Sequence, residues 1–469
     1  MSKIKFGTDG WRGVISEEYT FANVRLVAAG IAEWVRRREE QAKGIVVGYD
    51  ARFLSAKYAQ DCAAVLADEG IKVWLSSEML SSPALTWQVK DRQAAGGVMI
   101  TASHNPPEYN GLKFKASFGG SASPELVAEI ESCVNRLEGE KAVIPKIPLP
   151  ASVEVFSAQQ TYLDHVRQML DPEILMTFKK KIVFDVMHGS AQGYPSDLAK
   201  TYGLDLTEVR SSYDPMFGGV NPEPIEKNLD ALRQVVLEQK AYIGVATDGD
   251  GDRIGAIDAD GRYITPYQIF CLLMKYLYEK KGLRGLVVQT LTLSEQVKRL
   301  SEKYGLQTRQ TPVGFKYVAE LMLKEDILIG GEESGGISVK GYIPERDGIL
   351  LGFLLVEASA AYGKTLGQLL DEMAGELGTF FYDRRDLHLD MARKERLMNG
   401  LEIAAPQAIG GKPVLEVNVG DGTKLNFADG WVIFRGSGTE PIVRVYCEAQ
   451  SAEAVQEILK GAVDYAEKA

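Results

Sequence analysis

Three stretches of the chain share one pattern, in which a short apolar run ends in small or polar residues and an amphipathic run follows. This succession is typical of α/β layers, where a buried strand leads into a helix that packs on the sheet. The predicted strands are 44–49, 72–75 and 96–101 in the first stretch, 181–186 and 242–246 in the second, and 285–289 and 327–329 in the third, with helices over 55–69 and 294–304. The pattern therefore predicts three α/β units in succession.

The pattern changes after about residue 375. Strand-like runs at 387–390, 414–419, 431–435 and 442–448 precede one closing helix after Ser451. This arrangement predicts an α+β unit instead of a fourth α/β copy. Upstream, the proline-rich segment 143–150 is predicted to be a linker after the first unit.

Length and charge restrict the classes of protein. At 469 residues the chain exceeds the size at which one hydrophobic core keeps growing, so we expect about three or four domains. The net charge of −11 argues against a nucleic-acid partner, because affinity for a phosphate backbone is built from clustered Lys and Arg. It does not exclude a small phosphorylated substrate, because a few basic groups in a cleft can bind an anion on an acidic protein.

Cysteine usage and hydropathy indicate the compartment. The four cysteines lie far apart, without the spacing of a zinc site, and are predicted to be buried thiols in a reducing environment. The N-terminus has no apolar leader, and no run approaches the roughly 18 apolar residues of a membrane span. We therefore expect a cytoplasmic protein without a membrane partner.

The loop after the last predicted strand of the second stretch carries three alternating carboxylates, Asp248, Asp250 and Asp252. Three carboxylates so close together can converge on one hard cation. An EF-hand is excluded, because Arg253 stands at its glycine position and Ala259 at its glutamate position. A dinucleotide site is excluded as well, because the carboxylates would repel a pyrophosphate. A plain polar turn remains the alternative, but mutual repulsion without a cation favours the metal site.

Three further loops hold candidate chemistry. Ser103 and His104 follow the last predicted strand of the first stretch, where a hydroxyl beside an imidazole fits a functional site or a capped turn; no GxSxG elbow supports an acyl-transfer serine. Residues 435–441 join Arg435 to two hydroxyls and two glycines, the make-up of a phosphate-binding loop or of an ordinary glycine-rich hairpin. Residues 331–336 hold two carboxylates and a hydroxyl among glycines, which fits a sugar site and a surface turn equally.

Taken together, these four loops resemble those of the α-D-phosphohexomutase superfamily, the phosphoglucomutases and phosphomannomutases. They stand in the family's order along the whole chain, as a TASHNP phosphoserine loop, a DGDGDR metal loop, a GEESGG sugar-binding loop and an RGSGTEP phosphate-binding loop, and FGTDGWRG at 6–13 and NGLK at 110–113 also match. The resemblance implies an α/β fold of four domains around a central cleft, three α/β domains with mixed sheets and a C-terminal α+β domain. The predicted boundaries are 1–152, 153–256, 257–374 and 375–469.

The resemblance also implies a role for each site residue. Ser103 would carry a phosphoryl group, and one Mg²⁺ held by Asp248, Asp250 and Asp252 would coordinate an oxygen of that group. The predicted catalytic residues are Ser103, His104, Arg12, Lys113 and Arg253. The predicted substrate-binding residues are Glu332 and Ser334 for the sugar hydroxyls, Lys316 beside them, and Arg435, Ser437, Gly438, Thr439 and Arg444 for the second phosphate.

The implied reaction interconverts hexose 1-phosphate and hexose 6-phosphate through a hexose 1,6-bisphosphate, which also serves as activator. Residues 311–316 and the run Glu332-Glu333-Ser334 resemble the glucose enzymes more than the mannose or glucosamine enzymes, although Gly335-Gly336 departs from the Phe-Gly of many glucose enzymes. We therefore predict a phosphoglucomutase, with a phosphomannomutase or dual-specificity enzyme as the alternative, and a phosphoglucosamine mutase or phosphosugar phosphatase less favoured. The predicted partner is a small phosphosugar, and the predicted assembly is a monomer or homodimer.

Overall fold

The first domain is a mixed sheet covered by helices. The computed structural model describes residues 4–7, 10–436 and 442–468. The strands of this domain are β1 (Trp11–Val14), β2 (Ile45–Tyr49), β3 (Val73–Ser76), β4 (Gly96–Ile100), β5 (Tyr109–Ala116), β6 (Gly120–Ser121) and β7 (Glu154–Phe156), and its helices are α1 (Phe21–Arg37), α2 (Ser55–Asp68), α3 (Ser82–Asp91) and α4 (Pro124–Gly139). The strand order is β1-β5-β4-β2-β3-β7, with β6 beside β5. β5 runs antiparallel to β4, whereas β4, β2, β3 and β7 are parallel.

The second domain repeats the mixed arrangement with strand order β12-β11-β10-β8-β9. Its strands are β8 (Ile182–Asp185), β9 (Leu206–Val209), β10 (Ile243–Thr247), β11 (Ile254–Asp258) and β12 (Tyr263–Ile264). Its helices are α5 (Gln159–Met169), α6 (Pro172–Thr177), α7 (Tyr194–Tyr202) and α8 (Asp230–Glu238), with 3₁₀ turns at Phe217–Gly219 and Glu226–Asn228. The buried strand β10 ends directly before the three aspartates, so the sheet sets their position.

The third domain has the strand order β14-β13-β15-β16. Its elements are α9 (Pro266–Glu279), β13 (Leu286–Thr290), α10 (Glu295–Lys303), β14 (Thr308–Thr311), α11 (Phe315–Lys324), β15 (Ile327–Gly331), β16 (Ile337–Val339), α12 (Gly348–Tyr362) and α13 (Leu366–Leu377). All residues of α12 from 348 to 359 are buried, as expected for a helix that is apolar on every side. This helix packs against the second sheet, where Gly352 leaves no room for a Cβ beside Phe184 and Val245.

The fourth domain is an antiparallel sheet of order β17-β23-β22-β21-β20 with two helices. Its elements are β17 (Phe381–His388), α14 (Met391–Ile403), β18 (Ala408–Ile409), β19 (Lys412–Pro413), β20 (Glu416–Gly420), β21 (Gly422–Asn426), β22 (Gly430–Gly436), β23 (Ile442–Ala449) and α15 (Ala452–Lys468). The predicted fold class, three α/β domains with mixed sheets and an α+β tail, is confirmed.

Several predicted limits differ from the structure. The first sheet extends past residue 152, because β7 pairs with β3, and β11 runs across the predicted boundary at 256. Helix α13 likewise crosses the predicted boundary at 374. The strand predicted at 387–390 is β17, which begins at Phe381, and its charged, mostly exposed residues hide it from a search for apolar alternation.

The cores show how the domains are joined. One continuous cluster of buried apolar residues includes side chains of the first three domains, whereas the fourth domain has a cluster of its own. A small cluster of Trp431, Ile433 and Tyr446, with Leu291 packed against it, joins the fourth domain to the third. Among the described residues no single helix is long and apolar enough to span a membrane; α12 and α13 reach that length and hydropathy only together, and a 74° bend separates them.

Candidate active site

The loop after β4 holds Ser103 in an unusual backbone conformation. Ser103 is 1% exposed and has a φ of 53°, in the left-handed region that a non-glycine residue rarely adopts. The hydroxyl of Thr101 accepts a hydrogen bond from the Ser103 amide at 2.8 Å, which closes a tight turn directly after the strand. Strain of this kind concentrates at functional sites, where the surrounding structure must hold it.

Arg52 supplies much of that support, and sequence reasoning missed it. Its guanidinium donates to the carbonyl oxygens of Ser103 at 2.7 Å and Asn105 at 2.5 Å. It donates as well to the carbonyls of Pro106 at 2.8 Å and Tyr109 at 3.0 Å. One buried side chain therefore fixes the whole loop. The signal was present, since a polar segment with Arg52 directly follows the predicted strand 44–49.

The loop after β10 brings the three predicted metal ligands together. One oxygen from each of Asp248, Asp250 and Asp252 lies within 4.8 Å of the others, and all three side chains are buried. The amides of Asp252 and Arg253 donate to Asp248 Oδ1 at 2.9 and 3.1 Å. Gly251 turns the loop with a φ of +78°, a conformation that glycine adopts without strain.

The chemistry of this cluster fits a hard divalent cation. Asp250 Oδ1 and Asp252 Oδ1 are buried, and neither has a hydrogen-bond partner. Burial, together with the neighbouring carboxylates, raises the pKa of Asp248 well above its ordinary value, whereas the Lys113 ammonium and the Ser82 hydroxyl hold the pKa of Asp250 low in spite of burial. Buried carboxylate oxygens that repel each other and lack donors are the ligand set that Mg²⁺ or Ca²⁺ satisfies.

The serine loop and the metal loop are in direct contact. Ser103 Oγ donates to Asp248 Oδ2 at 2.8 Å, across 145 residues of sequence. His104 Nδ1 lies 3.3 Å from Ser103 Oγ, and burial together with nearby Arg253, Arg12 and Lys113 lowers the pKa of His104 well below its ordinary value. Both effects favour the neutral form of the imidazole beside the serine hydroxyl.

The predicted basic residues surround these two loops. Lys113 Nζ lies 3.0 Å from Asp250 Oδ2 and 3.7 Å from Asp252 Oδ2, so it faces the metal loop. Arg12 donates to Asn105 Oδ1 in the serine loop at 2.6 Å. Arg253 follows the metal loop and lies 3.5 Å from Glu223. Three cationic side chains thus converge on the region around Ser103, where an anionic group would need them.

Arg346 connects the sugar loop after β15, residues 331–336, to the metal loop. It is a second residue that sequence reasoning missed. Arg346 Nη2 lies 2.6 Å from Asp252 Oδ2, and its Nη1 lies 3.7 Å from Glu332 Oε2. Glu332 is buried and Ser334 is half-buried. Gly335, with a φ of +90°, leaves no space for a Cβ beside the Ile254 carbonyl, so the sugar loop lies against the end of the metal loop.

The predicted phosphate-binding residues lie on the fourth domain. Arg435 and Arg444 are cross-strand neighbours on β22 and β23. Ser437, Gly438 and Thr439 lie outside the described residues. Lys316 is in the first turn of α11, at the part of the third domain that the fourth domain contacts, where Val313 N donates to Asp421 Oδ2 at 2.8 Å. The structure thus joins the serine, metal and sugar loops directly, and places the arginines on a domain of its own.

Family comparisons agree with this division into four domains. The chain matches the models of phosphoglucomutase/phosphomannomutase α/β/α domain I over residues 3–141, domain II over 160–261, domain III over 265–376 and the C-terminal domain over 390–464. The chain therefore belongs to the phosphoglucomutase/phosphomannomutase family of the α-D-phosphohexomutase superfamily, whose members are mutases that transfer phosphoryl groups. The predicted family and enzyme class are confirmed.

Individual relatives carry different substrate names. The chain is 30% identical over 464 residues to a phosphoglucomutase/phosphomannomutase of Thermococcus kodakarensis, with 99% of this chain and 98% of that protein covered. It is also 30% identical over 469 residues to a phosphoglucosamine mutase of Carboxydothermus hydrogenoformans, with 99% of each covered. A crystal structure of a protein provisionally named phosphomannomutase, from Thermus thermophilus, superposes with a TM-score of 0.88 at 36% identity and covers 99% of both chains.

Proposed function

We propose that the protein interconverts hexose 1-phosphate and hexose 6-phosphate through a phosphorylated Ser103 and a hexose 1,6-bisphosphate. The observation that carries the proposal is the 2.8 Å contact between Ser103 Oγ and Asp248 Oδ2, which puts the hydroxyl on a buried cluster of three carboxylates. Membership of the phosphohexomutase family supports the same reaction class.

Each neighbour of Ser103 has a defined task in this proposal. Asp248, Asp250 and Asp252 would hold one Mg²⁺ per chain, and that ion would supply positive charge for the transfer of the phosphoryl group. Lys113 and Arg253 supply further positive charge beside the serine, and phosphoryl transfer depends mainly on such charge and on positioning. Ser103 donates its hydroxyl hydrogen to Asp248 Oδ2, and rotation of the hydroxyl brings the same hydrogen toward His104 Nδ1, 3.3 Å from Ser103 Oγ.

The remaining loops bind the rest of the substrate. Glu332 accepts hydrogen bonds from the sugar hydroxyls and Ser334 donates to them, whereas Arg435 and Arg444 bind the phosphate that is not being transferred. After the first transfer the bisphosphate turns end for end, so that its other phosphate returns to Ser103. The separation of the arginines onto the fourth domain supports this step, because that domain can bind either phosphate of the same sugar.

Glucose phosphate is the proposed substrate. The run Glu332-Glu333-Ser334 supports it, and the Glu333 carboxylate accepts hydrogen bonds from the hydroxyls of Thr290 and Thr292, which fix the loop in one position. A glucosamine phosphate substrate is the second candidate, because a phosphoglucosamine mutase matches the whole chain at the same 30% identity as the phosphoglucomutase/phosphomannomutase. Hexose 1,6-bisphosphate is the proposed activator, since it phosphorylates Ser103.

Phosphorus NMR tests the proposal on the 1-phosphates of glucose, mannose and glucosamine, each with Mg²⁺ and a trace of the matching 1,6-bisphosphate. We expect the 6-phosphate to form fastest from glucose 1-phosphate. Ser103→Ala should abolish turnover but still bind substrate, whereas Ser117→Ala, at an exposed turn of the same domain, should retain the wild-type rate.

Two results would contradict the proposal. Release of inorganic phosphate without any 6-phosphate would show a phosphatase. Full activity of Ser103→Ala would remove the phosphoserine from the reaction. A faster rate on glucosamine 1-phosphate would keep the mutase and reassign its substrate.

A further inference from the structure

Asp421 lies at the tip of the hairpin between β20 and β21, and the geometry of the tip fixes where its side chain can be. Gly420 and Gly422 pair with each other, which leaves Asp421 alone at the turn. Gly422 has a φ of +97°, and a Cβ there would lie 2.4 Å from the carbonyl oxygen of Phe434. The hairpin tip is thus pressed against β22 at the residue before Arg435.

Both oxygens of the Asp421 carboxylate are used, and they contact different domains. Oδ1 accepts a hydrogen bond from Arg435 Nε at 2.9 Å, within the fourth domain. Oδ2 accepts from the backbone amide of Val313 at 2.8 Å, in the third domain. The Asp421 side chain is 26% exposed and that of Arg435 is 17% exposed, so solvent screens the pair only in part.

The contact with Arg435 orients its guanidinium. Because Asp421 accepts from Nε, at the base of the planar group, it fixes the plane and uses neither terminal nitrogen in this contact. The charge of Asp421 also contributes to the raised pKa of Arg435, in spite of burial that lowers it. A guanidinium fixed in this way loses less rotational freedom when it binds a phosphate.

The contact with Val313 ties the same carboxylate to a predicted substrate-binding segment. Val313 precedes α11, whose first turn contains Lys316. Among the described residues, the two domains also meet at the small apolar cluster around Trp431 and at polar contacts of Glu448 and Lys424. Asp421 is therefore a polar contact between the two domains, and it connects Arg435 to the segment of the third domain that leads into α11.

We infer that Asp421 is a positioning residue that couples phosphate binding at Arg435 to docking of the fourth domain on the third. The inference rests on the proposed function and deepens it. Arg435 binds a substrate phosphate more tightly when Asp421 already orients its guanidinium. Asp421 is itself oriented by the Val313 amide, which reaches it only when the fourth domain is docked on the third. Docking and phosphate binding therefore strengthen each other.

Asp421→Asn tests the coupling, because an amide keeps the shape of the side chain but has one acceptor oxygen. One of its two donors, Arg435 Nε or Val313 N, would then face an NH₂ group. We expect the KM for glucose 1-phosphate to rise about tenfold, the factor of one lost charge-assisted hydrogen bond, with kcat changed much less. The Val313 amide should exchange its hydrogen about tenfold faster in the protein without substrate. Asp421→Ala is a second variant, for which we also expect a higher KM and faster exchange at Val313.

Two comparisons separate positioning from a general loss of structure. Asp429→Asn is the matched control, because Asp429 pairs with Lys412 at the neighbouring hairpin within the fourth domain, and its KM and exchange should equal those of the wild type. In an Arg435→Ala background, Asp421→Asn should change the KM by less than about twofold, because coupling through Arg435 is already absent.

An unchanged KM, an unchanged exchange rate at Val313, or an equal rise of KM in the Arg435→Ala background would each overturn the inference. A wild-type protein that turns over no hexose phosphate would overturn the proposed function instead. In that case the affinity for inorganic phosphate replaces the KM in the same comparisons, and the exchange measurement is unaffected.

Discussion

At the scale of single residues, the conformation of Ser103 is imposed by other parts of the chain. A φ of 53° is unfavourable for serine, and the residues that hold it are Thr101, Asp248 and above all Arg52. Arg52 is itself held between Asp50, 3.3 Å from its Nε, and the ring of Phe217 in the second domain. The Ser103 hydroxyl is thus positioned by a buried cation that bonds to the backbone of its loop and not to the hydroxyl itself.

Arg52→Lys should therefore impair catalysis although it preserves the charge. An ammonium has three N–H donors in place of the guanidinium fork, so at least one of the four carbonyl oxygens loses its bond to residue 52 in a buried site. We expect kcat to fall on the order of a hundredfold through displacement of Ser103, and the urea unfolding midpoint to fall as well. Steady-state kinetics and unfolding monitored by circular dichroism measure both effects.

Arg136→Lys is the control for this substitution. Arg136 forms surface ion pairs with Glu33 and Glu140, and its side chain is 43% exposed. Surface pairs contribute about 0–1 kcal/mol, so kcat should be unchanged. A kcat for Arg52→Lys equal to that of the wild type would mean that Ser103 does not depend on Arg52 for its position.

The residues that could be predicted from sequence are those whose partners lie nearby in the chain or in a family motif. Asp248, Asp250 and Asp252 are recognisable because their spacing alone suggests one cation. Arg52 donates to the backbone of Ser103, about fifty positions along the chain. Arg346 pairs with Asp252 of the second domain, and Asp421 contacts the Val313 amide across a domain interface. The local sequence marks Arg52 only as part of a polar segment after a strand, and it does not reveal the partners of these three residues, because the contacts exist only after the sheets have packed.

At the scale of elements, the site is assembled from loops that follow the carboxyl ends of strands. The serine loop follows β4, the metal loop β10 and the sugar loop β15, which is where open α/β sheets place ligands. Their mutual fit depends on glycines at the contacts. Gly249 leaves no space for a side chain, because a Cβ there would lie 2.6 Å from the Ser103 carbonyl oxygen.

Gly249→Ala should accordingly separate the metal loop from the serine loop. The added methyl meets backbone instead of a flexible side chain, so one of the two loops must move. After removal of metal with EDTA, we expect the Mg²⁺ concentration for half-maximal turnover to rise about tenfold. Titration of mutase activity with MgCl₂ measures this value.

Gly400→Ala provides the comparison in the fourth domain. Gly400 lies in α14, and its Cβ position has no heavy atom within 4 Å. An alanine there should stabilise the helix by up to about 1 kcal/mol and leave the Mg²⁺ requirement unchanged. If Gly249→Ala needed the same Mg²⁺ concentration as the wild type, the metal loop and the serine loop would tolerate separation.

The strands before these loops were predictable because they are short, apolar and buried on both faces. Predicted 96–101, 242–246 and 327–329 correspond to β4, β10 and β15 within one or two residues at each end. Strand β17 was predicted poorly because it lies at the sheet edge with charged, exposed residues, so pairing with β23 and not its own hydrophobic pattern makes it a strand.

At the scale of the whole molecule, the fourth domain is attached differently from the other three. The first three share a continuous apolar core, whereas the fourth uses a small cluster and buried polar groups. Glu448 Oε1 accepts from the amide of Glu295 at 2.8 Å and from Trp431 Nε1 at 3.2 Å. Lys424 Nζ donates to the carbonyl oxygen of Leu291 at 2.8 Å.

The attachment should weaken as the pH rises toward neutrality. Burial raises the pKa of Glu448 from 4.5 to about 7, so between these values the folded protein holds a proton that the unfolded chain has released. Below about pH 4.5 Glu448 makes its full contribution to the free energy of unfolding. As the pH rises this contribution falls by about 3 kcal/mol, and it levels off above about pH 7. Lys424, whose pKa burial lowers to about 8, stays charged over this interval.

Glu448→Gln removes the titration and keeps the shape of the group. Urea unfolding midpoints of the two proteins, measured side by side from pH 5 to 7.5, should show the wild type losing stability relative to the variant. The contributions of other titrating groups to the unfolding midpoint are the same in both proteins and cancel in this difference. A constant difference over the whole interval would mean that Glu448 is already ionised at pH 5.

The contact between Ser103 and Asp248 has a consequence for synthesis on the ribosome. The 145 residues that separate the two take roughly seven to thirty seconds to translate at about 5–20 residues per second. During that interval the first sheet is complete, since its last strand ends at Phe156, but the serine has no carboxylate to meet. A nascent chain therefore presents the Ser103 hydroxyl long before Asp248 exists, and the contact between them forms only when the second domain emerges.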